Sequence, residues 1–170
     1  ALAADERSPD GMSISASRSI LFVCMGNICR SPMAEALFIH QAALRGAGDL
    51  FTIDSAGTGG WHAGSPPDER MQRTASSHGV EMDCRARQVC SADFEAFDLI
   101  LCMDRENHAN LLRLGAPPDR TRLMLEFHPD DRHEEVPDPY YGEHDGFQLV
   151  FDLLQTSCDR LLDTLLSQER

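Results

Sequence analysis

The chain has no apolar run approaching the ~20 residues that a membrane-crossing helix needs, and no secretory apolar core is visible near its N-terminus. A membrane partner and an exported precursor are therefore not expected. Positive charge is scarce as well: 15 Lys and Arg stand against 28 Asp and Glu, a formal net charge of −13. That balance argues against a nucleic-acid backbone and against an anionic membrane surface as partners. It also requires any anion site to be electropositive locally, against the field of the remaining chain. No Cys-x-x-Cys pair occurs among the six cysteines, and the seven histidines show no i, i+4 ligand spacing. A structural metal site is not expected, and most of the histidines read as solvated. Cys24, Cys29, Cys84, Cys90, Cys102 and Cys158 are spread through a chain with enough apolar residues to need no disulfide staples. A reducing, cytoplasmic compartment is the expectation.

What is present reads as one α/β domain. At 170 residues a single core is expected. Residues 1–18 are small and polar without a hydrophobic period and read as a flexible tail, with the domain at 19–170. Ile20 to Val23 and Leu99 to Cys102 are apolar on both faces, whereas Leu50–Asp54 and Arg122–Phe127 alternate. Parallel strands buried on both faces are continuously apolar, so the first pair belongs at the centre of a sheet and the second at its edges. Helical patterns fall between them: Pro32 to Arg45 stopping at Gly46, a helix opened by Ser65-Pro66-Pro67-Asp68 and closed by Gly79, and one capped by Asp104. A last helix starts at Asp145, with Phe147, Val150, Phe151, Leu154, Cys158, Leu161 and Leu165 on one stripe. Four parallel strands in the order 2-1-3-4, with helices on both faces and right-handed crossovers, satisfy this pattern. Ligands in such sheets bind beyond the carboxyl ends of the strands at the point where the order reverses, here between strands one and three.

Cys24 ends the first of those strands. It opens the stretch Cys24-Met25-Gly26-Asn27-Ile28-Cys29-Arg30-Ser31-Pro32, which runs into a helix. Pro suits the first helical position and Ser the N-cap before it. Gly26 and Asn27 both tolerate positive φ, so the segment can curl into a phosphate loop. A loop wrapped onto a helix N-terminus presents several backbone N–H groups to one point, where the dipole favours an anion. Arg30 can grip two phosphate oxygens with its planar fork, and the same field stabilises a thiolate at Cys24 for attack on phosphorus. Ser31 either bonds that thiolate or caps the helix. Met25 shapes the loop's entrance. The segment from His128 to Asp145 is a long polar loop, and loops of that length are usually functional. Within it, Asp138 before Pro139 reads equally as a turn former and as a proton donor.

The Cys24–Pro32 stretch resembles the signature loop of the low-molecular-weight protein tyrosine phosphatases. Asp54-Ser55-Ala56-Gly57-Thr58, Arg85-Ala86-Arg87-Gln88 and Asp138-Pro139-Tyr140-Tyr141-Gly142 resemble other pieces of that family in the same order, so the likeness runs from about Ser19 to the C-terminus. It implies the same four-stranded sheet and hydrolysis of phosphotyrosine or aryl phosphates through a phosphocysteine, with inorganic phosphate released and no metal or other cofactor. It also implies Cys24, Arg30 and Asp138 as catalytic residues and Asn27 bonded to Ser55. Trp61, Tyr140 and Tyr141 are expected to wall the pocket. One position departs from the family: a histidine is usual just before Arg85, and here Cys84 stands there. For redox control, Cys29 in the loop is the expected disulfide partner of Cys24, with Cys84 the alternative. Two other functions compete. A thioredoxin-coupled arsenate reductase of the same fold needs two relay cysteines; Cys102 qualifies as one, but Met103 to Leu114 supplies no second. A non-catalytic phosphotyrosine-binding module is disfavoured because nucleophile, arginine and acid are all present.

Overall fold

The computed structural model describes residue 14 and residues 16–130, 132–140 and 145–167. Strand β1 (Ser19–Cys24) is buried from its second residue onward. Its side chains alternate: Ile20, Phe22 and Cys24 enter one core, Leu21 and Val23 the other. Strand β3 (Leu99–Cys102) divides in the same way, Leu99 and Leu101 against Ile100 and Cys102. Strand β2 (Thr52–Gly57) pairs with β1, and β4 (Thr121–Leu123) with β3. The sheet is parallel throughout in the order 2-1-3-4, so the doubly buried runs are the central strands.

Helices α1 (Arg30–Leu44), α2 (Glu69–Ser77) and α5 (Asp145–Leu166) cover the first face. The short α3 (Asp93–Ala96) and α4 (Arg105–Arg113) cover the second. The apolar stripe of α5 is buried along its whole length, at roughly 1.5–3 kcal/mol for each large side chain removed from water. Gly46 follows α1 with φ of 69°, the left-handed stop that glycine adopts without a Cβ penalty. Among the described residues no helix is long and apolar enough to cross a membrane.

Several boundaries differ from the sequence reading. The packed chain begins before Ser19: Ile14 sits in the first core at 5% exposure and Ser17 at 2%. The tail therefore does not extend to residue 18; an isolated apolar residue gave no period to follow. Helix α1 starts at Arg30 with Cys29 as its N-cap, so Ser31 is a helical residue and not the cap. Helix α2 starts at Glu69, and Asp68 is the N-cap, accepting the Arg70 N–H. The residue before a proline avoids the helical region, which leaves Ser65 outside the helix. Strand β2 is displaced toward Gly57, and Gly48–Leu50 forms a 3-10 turn. The fourth strand ends at Leu123, and Met124–Phe127 is a 3-10 turn. Glu126 closes that turn by accepting the Leu123 N–H at 3.1 Å and Arg122 Nε at 2.8 Å.

Candidate active site

The carboxyl ends of β1 and β2 meet at the pair Cys24–Gly57, next to the end of β3. Chain leaving β1 must turn sharply before α1, and its carbonyls are held from outside. Thr58 N–H donates to Cys24 O at 2.9 Å, Gly59 N–H to Met25 O at 3.0 Å and Asp68 N–H to Ile28 O at 2.8 Å. A trans peptide sets its N–H opposite its C=O. The amides of Met25, Gly26 and Cys29 are thus turned away from those partners. The positive φ is carried by Asn27, at 58°, and not by Gly26. Gly26 is small for another reason: a Cβ there would meet the His62 ring at 3.1 Å. Gly57 lets the loop approach β2, since a Cβ on it would stand 2.7 Å from Met25 O.

Behind the loop lies a buried polar chain. Cys24 Sγ is 3.0 Å from Ser31 Oγ and accepts the Asn27 backbone N–H at 3.3 Å. Asn27 Nδ2 donates to Ser31 Oγ at 2.8 Å and to Ser55 Oγ at 3.0 Å, while its Oδ1 accepts the Arg87 N–H at 2.9 Å. Ser55 Oγ donates to Glu35 Oε1 at 2.5 Å. The Ser31 oxygen is already an acceptor, so its hydroxyl proton faces two acceptors, the Cys24 sulfur at 3.0 Å and the Ala56 carbonyl at 3.4 Å, of which the sulfur is the nearer. Burial raises the Glu35 carboxyl above its ordinary range against the pull of the Ser55 bond.

Arg30, the first residue of α1, is 3% exposed. Its Nη1 donates to Asp104 Oδ2 at 2.7 Å and to the Val136 carbonyl at 3.0 Å, and its Nη2 lies 3.6 Å from Asp138 Oδ2. Burial works to lower its pKa, but the charges of Cys24, Asp104 and Asp138 raise it above the usual value. A cation at a helix N-terminus opposes the dipole, and Asp104 offsets this while its Oδ1 caps α4 through the Asn107 N–H at 2.8 Å. The loop carrying Asp138 is pinned just upstream, where Val136 N–H donates to Met103 O at 2.8 Å. Asp138 is both a turn former and a pocket residue: Oδ1 accepts the Tyr140 N–H at 3.0 Å, and Oδ2 faces Arg30.

These groups line one cavity of about 290 Å³. Its buried lining is Cys24, Ile28, Cys29 and Arg30. Its walls are Met25, Gly26, Trp61, His62 and Tyr140, with Asp138 across from the loop. Trp61 is 71% exposed at the mouth. Asn27, Ser31 and Ser55 do not line the cavity but form the scaffold behind it. Tyr141 lies outside the described residues. Cys84 lines a separate cavity with Glu35 and His40, and its thiol is pushed up to about 12 by burial and the Glu35 charge. Desolvation also holds Cys29 well above the ordinary thiol range, with Asp68 and Cys24 adding to it.

Three residues of the site were not legible as such in the sequence. His62 is a wall residue, not a solvated one; its place beside Trp61 was the available signal. Glu35 lies four residues after Ser31, on the same helix face. Asp104 follows the end of β3 and so sits at the switch point.

Comparison with known proteins agrees with this geometry. The family model for low molecular weight phosphotyrosine protein phosphatases matches residues 19–170. Low molecular weight protein-tyrosine phosphatase A of Mycobacterium tuberculosis is 46% identical over 147 residues, 85% of this chain and 89% of that protein. The human low molecular weight phosphotyrosine protein phosphatase is 37% identical over 155 residues, 89% of this chain and 98% of that one. A crystal structure of a protein tyrosine phosphatase from Entamoeba histolytica superimposes with a TM-score of 0.85 at 38% identity, covering 91% of this chain and 100% of the other. With the loop, the sheet order and nearly the whole length in agreement, the chain belongs to the low molecular weight protein-tyrosine phosphatase family.

Proposed function

We propose that the protein hydrolyses phosphotyrosine in proteins, and small aryl phosphates, through a phosphocysteine formed on Cys24. The observation that carries this reading is the Cys24 sulfur held by Ser31 and Asn27 in one cavity with Arg30 and Asp138. In the first step the Cys24 thiolate attacks phosphorus, the bond to the phenolic oxygen breaks, and Asp138 donates its proton to the departing phenoxide. Arg30 and the loop amides stabilise the charge on the equatorial oxygens. An entering phosphate competes with Asp138 for Arg30 Nη2, which frees the carboxyl to face the leaving group. In the second step Asp138 takes a proton from water, the water oxygen attacks phosphorus, the P–S bond breaks, and phosphate leaves with the thiolate restored. Trp61, His62 and Tyr140 stack along the aryl ring. A thiolate nucleophile suits a reducing compartment, and the cytoplasm is the proposed location. The arsenate-reductase alternative loses support, because Cys102 is fully buried in the second core and does not line the cavity.

The test is turnover of a phosphotyrosine peptide in excess chelator, with thioredoxin-coupled arsenate reduction run alongside. Wild type is expected to hydrolyse the peptide and Cys24→Ser to bind it without turnover, because an alkoxide is far harder to form than a thiolate. Retention of even about a tenth of the activity by Cys24→Ser sinks the nucleophile assignment, since loss of a covalent nucleophile costs orders of magnitude.

A further inference from the structure

Arg70 joins the two loops that meet over the cavity. It is the second residue of α2, and its guanidinium carbon sits 5.4 Å from the Tyr140 ring centroid and 4.7 Å from that of Phe147. At such distances a cation is drawn to a π face. Its Nε and Nη2 are engaged by the two oxygens of Asp68, at 3.1 and 2.8 Å, a two-point grip that fixes the plane of the guanidinium. Asp68 in turn donates its N–H to the Ile28 carbonyl of the phosphate loop at 2.8 Å. On the far side, the Tyr140 N–H donates to Asp138 Oδ1 at 3.0 Å. The links run without a break from Ile28 through Asp68, Arg70 and Tyr140 to Asp138. Phe147, 1% exposed, supplies a fixed third corner on α5. A cation in the first turn of a helix gains nothing from the dipole, so the helix by itself supplies no reason for an arginine there. The carboxylate below it and the two rings beside it supply one.

We propose that Arg70 is a positioning residue that holds Tyr140, and through it the Asp138 carboxyl, at a set place over the phosphate loop. Arg70 does not line the cavity and acts through Tyr140. This rests on the reading of Asp138 as proton donor. Lysine keeps the charge and loses the planar fork; methionine keeps an unbranched apolar stem and loses both.

The experiment compares kcat/KM for phenyl phosphate and 4-nitrophenyl phosphate in Arg70→Met, Arg70→Lys, Asp138→Asn and the Arg70→Met/Asp138→Asn double variant. This parameter reports the steps through cleavage of the phenolic bond, where only the poorer leaving group depends strongly on the proton. Arg70→Met is expected to lower kcat/KM about tenfold on phenyl phosphate and less than about threefold on the nitrophenyl ester, a fraction of what a general acid supplies. Arg70→Lys falls between, and carries the comparison if Arg70→Met does not fold. In the Asp138→Asn background, Arg70→Met is expected to change either substrate by less than about twofold, because both act on one proton transfer. Equal losses on both substrates, or an undiminished loss in the Asp138→Asn background, overturn the proposal. If Asp138→Asn is selective for the poorer leaving group and the Arg70 variants are not, the positioning role alone fails. If Asp138→Asn shows no selectivity, the acid assignment fails and this proposal with it.

Discussion

At the residue scale, Asp138 shows why sequence spacing finds a site only in part. Two of its properties were visible, its place in a long polar loop and its proline neighbour, and they supported two different roles. The structure engages Oδ1 in the turn and turns Oδ2 toward Arg30. The proposed chemistry then sets an expectation for Asp138→Asn. The amide cannot donate a proton of comparable acidity but keeps the turn, because its oxygen still accepts the Tyr140 N–H. On phenyl phosphate kcat/KM is expected to fall by roughly 10²-fold or more, the usual scale of general acid catalysis, and by clearly less on 4-nitrophenyl phosphate. Equal losses on the two esters would remove Asp138 from the proton transfer. Cys24 and Arg30 were legible because the chain itself fixes their spacing and a strand and helix bracket them. Glu35 and Asp104 were not, because their partners Ser55 and Arg30 are 20 and 74 residues away in sequence.

At the scale of elements, the phosphate loop is a strand end fused to a helix start, and its cysteines follow from that. Cys24 and Cys29 line the same buried part of one cavity, whereas Cys84 lies in another, of about 350 Å³. Peroxide, with one proton from solvent, is expected to convert the Cys24 thiolate to a sulfenic acid with loss of water. The Cys29 thiol then attacks that sulfur and expels a second water, leaving a disulfide. Burial keeps Cys29 protonated, so resolution awaits a local opening of the loop. Inactivation by peroxide, protection by bound phosphate and recovery with a dithiol are the expected behaviour, with peptide mapping showing Cys24 joined to Cys29. Full recovery of Cys29→Ser together with failed recovery of Cys84→Ser would assign the resolving thiol to Cys84 instead. Element boundaries were the least legible part of the chain. Alternation from Leu123 to Phe127 looked like a strand, but the Glu126 carboxylate satisfies the Leu123 N–H and closes a turn before more strand can pair. Pro66 and Pro67 likewise moved the cap of α2 to Asp68.

At the scale of the molecule, the sheet order was legible because burial on both faces marks the central strands, and right-handed crossovers leave few alternatives. The charge balance sets a second property, the pH of maximal stability. Asp68, Asp93 and Asp98 have carboxyls held below their ordinary range: burial works against ionisation in each, and hydrogen bonds from Arg70, Arg87 and Cys90, and Arg18 and Ser19 respectively outweigh it. A group depressed in the fold stabilises it above its unfolded pKa of about 3.9 and loses that contribution as pH falls through the folded value. Glu35 has the opposite sign. Its carboxyl is raised by burial, so its contribution is complete below about 4.3 and is lost as pH rises through the folded value. The net charge of −13 at pH 7 adds self-repulsion on the alkaline side. The midpoint of thermal unfolding is therefore expected to peak in mildly acidic buffer, about pH 5–6, and to fall in both directions. The two causes of the alkaline fall separate by salt. Chloride near ~0.15 M shortens the screening length to about 8 Å and relieves repulsion among exposed carboxylates, but reaches a buried group much less. Salt should recover part of the midpoint at pH 8, and Glu35→Gln should flatten the part that salt leaves. A midpoint still rising from pH 6 to pH 8 at low salt would contradict both contributions, and a Glu35→Gln profile parallel to wild type would take Glu35 out of the account.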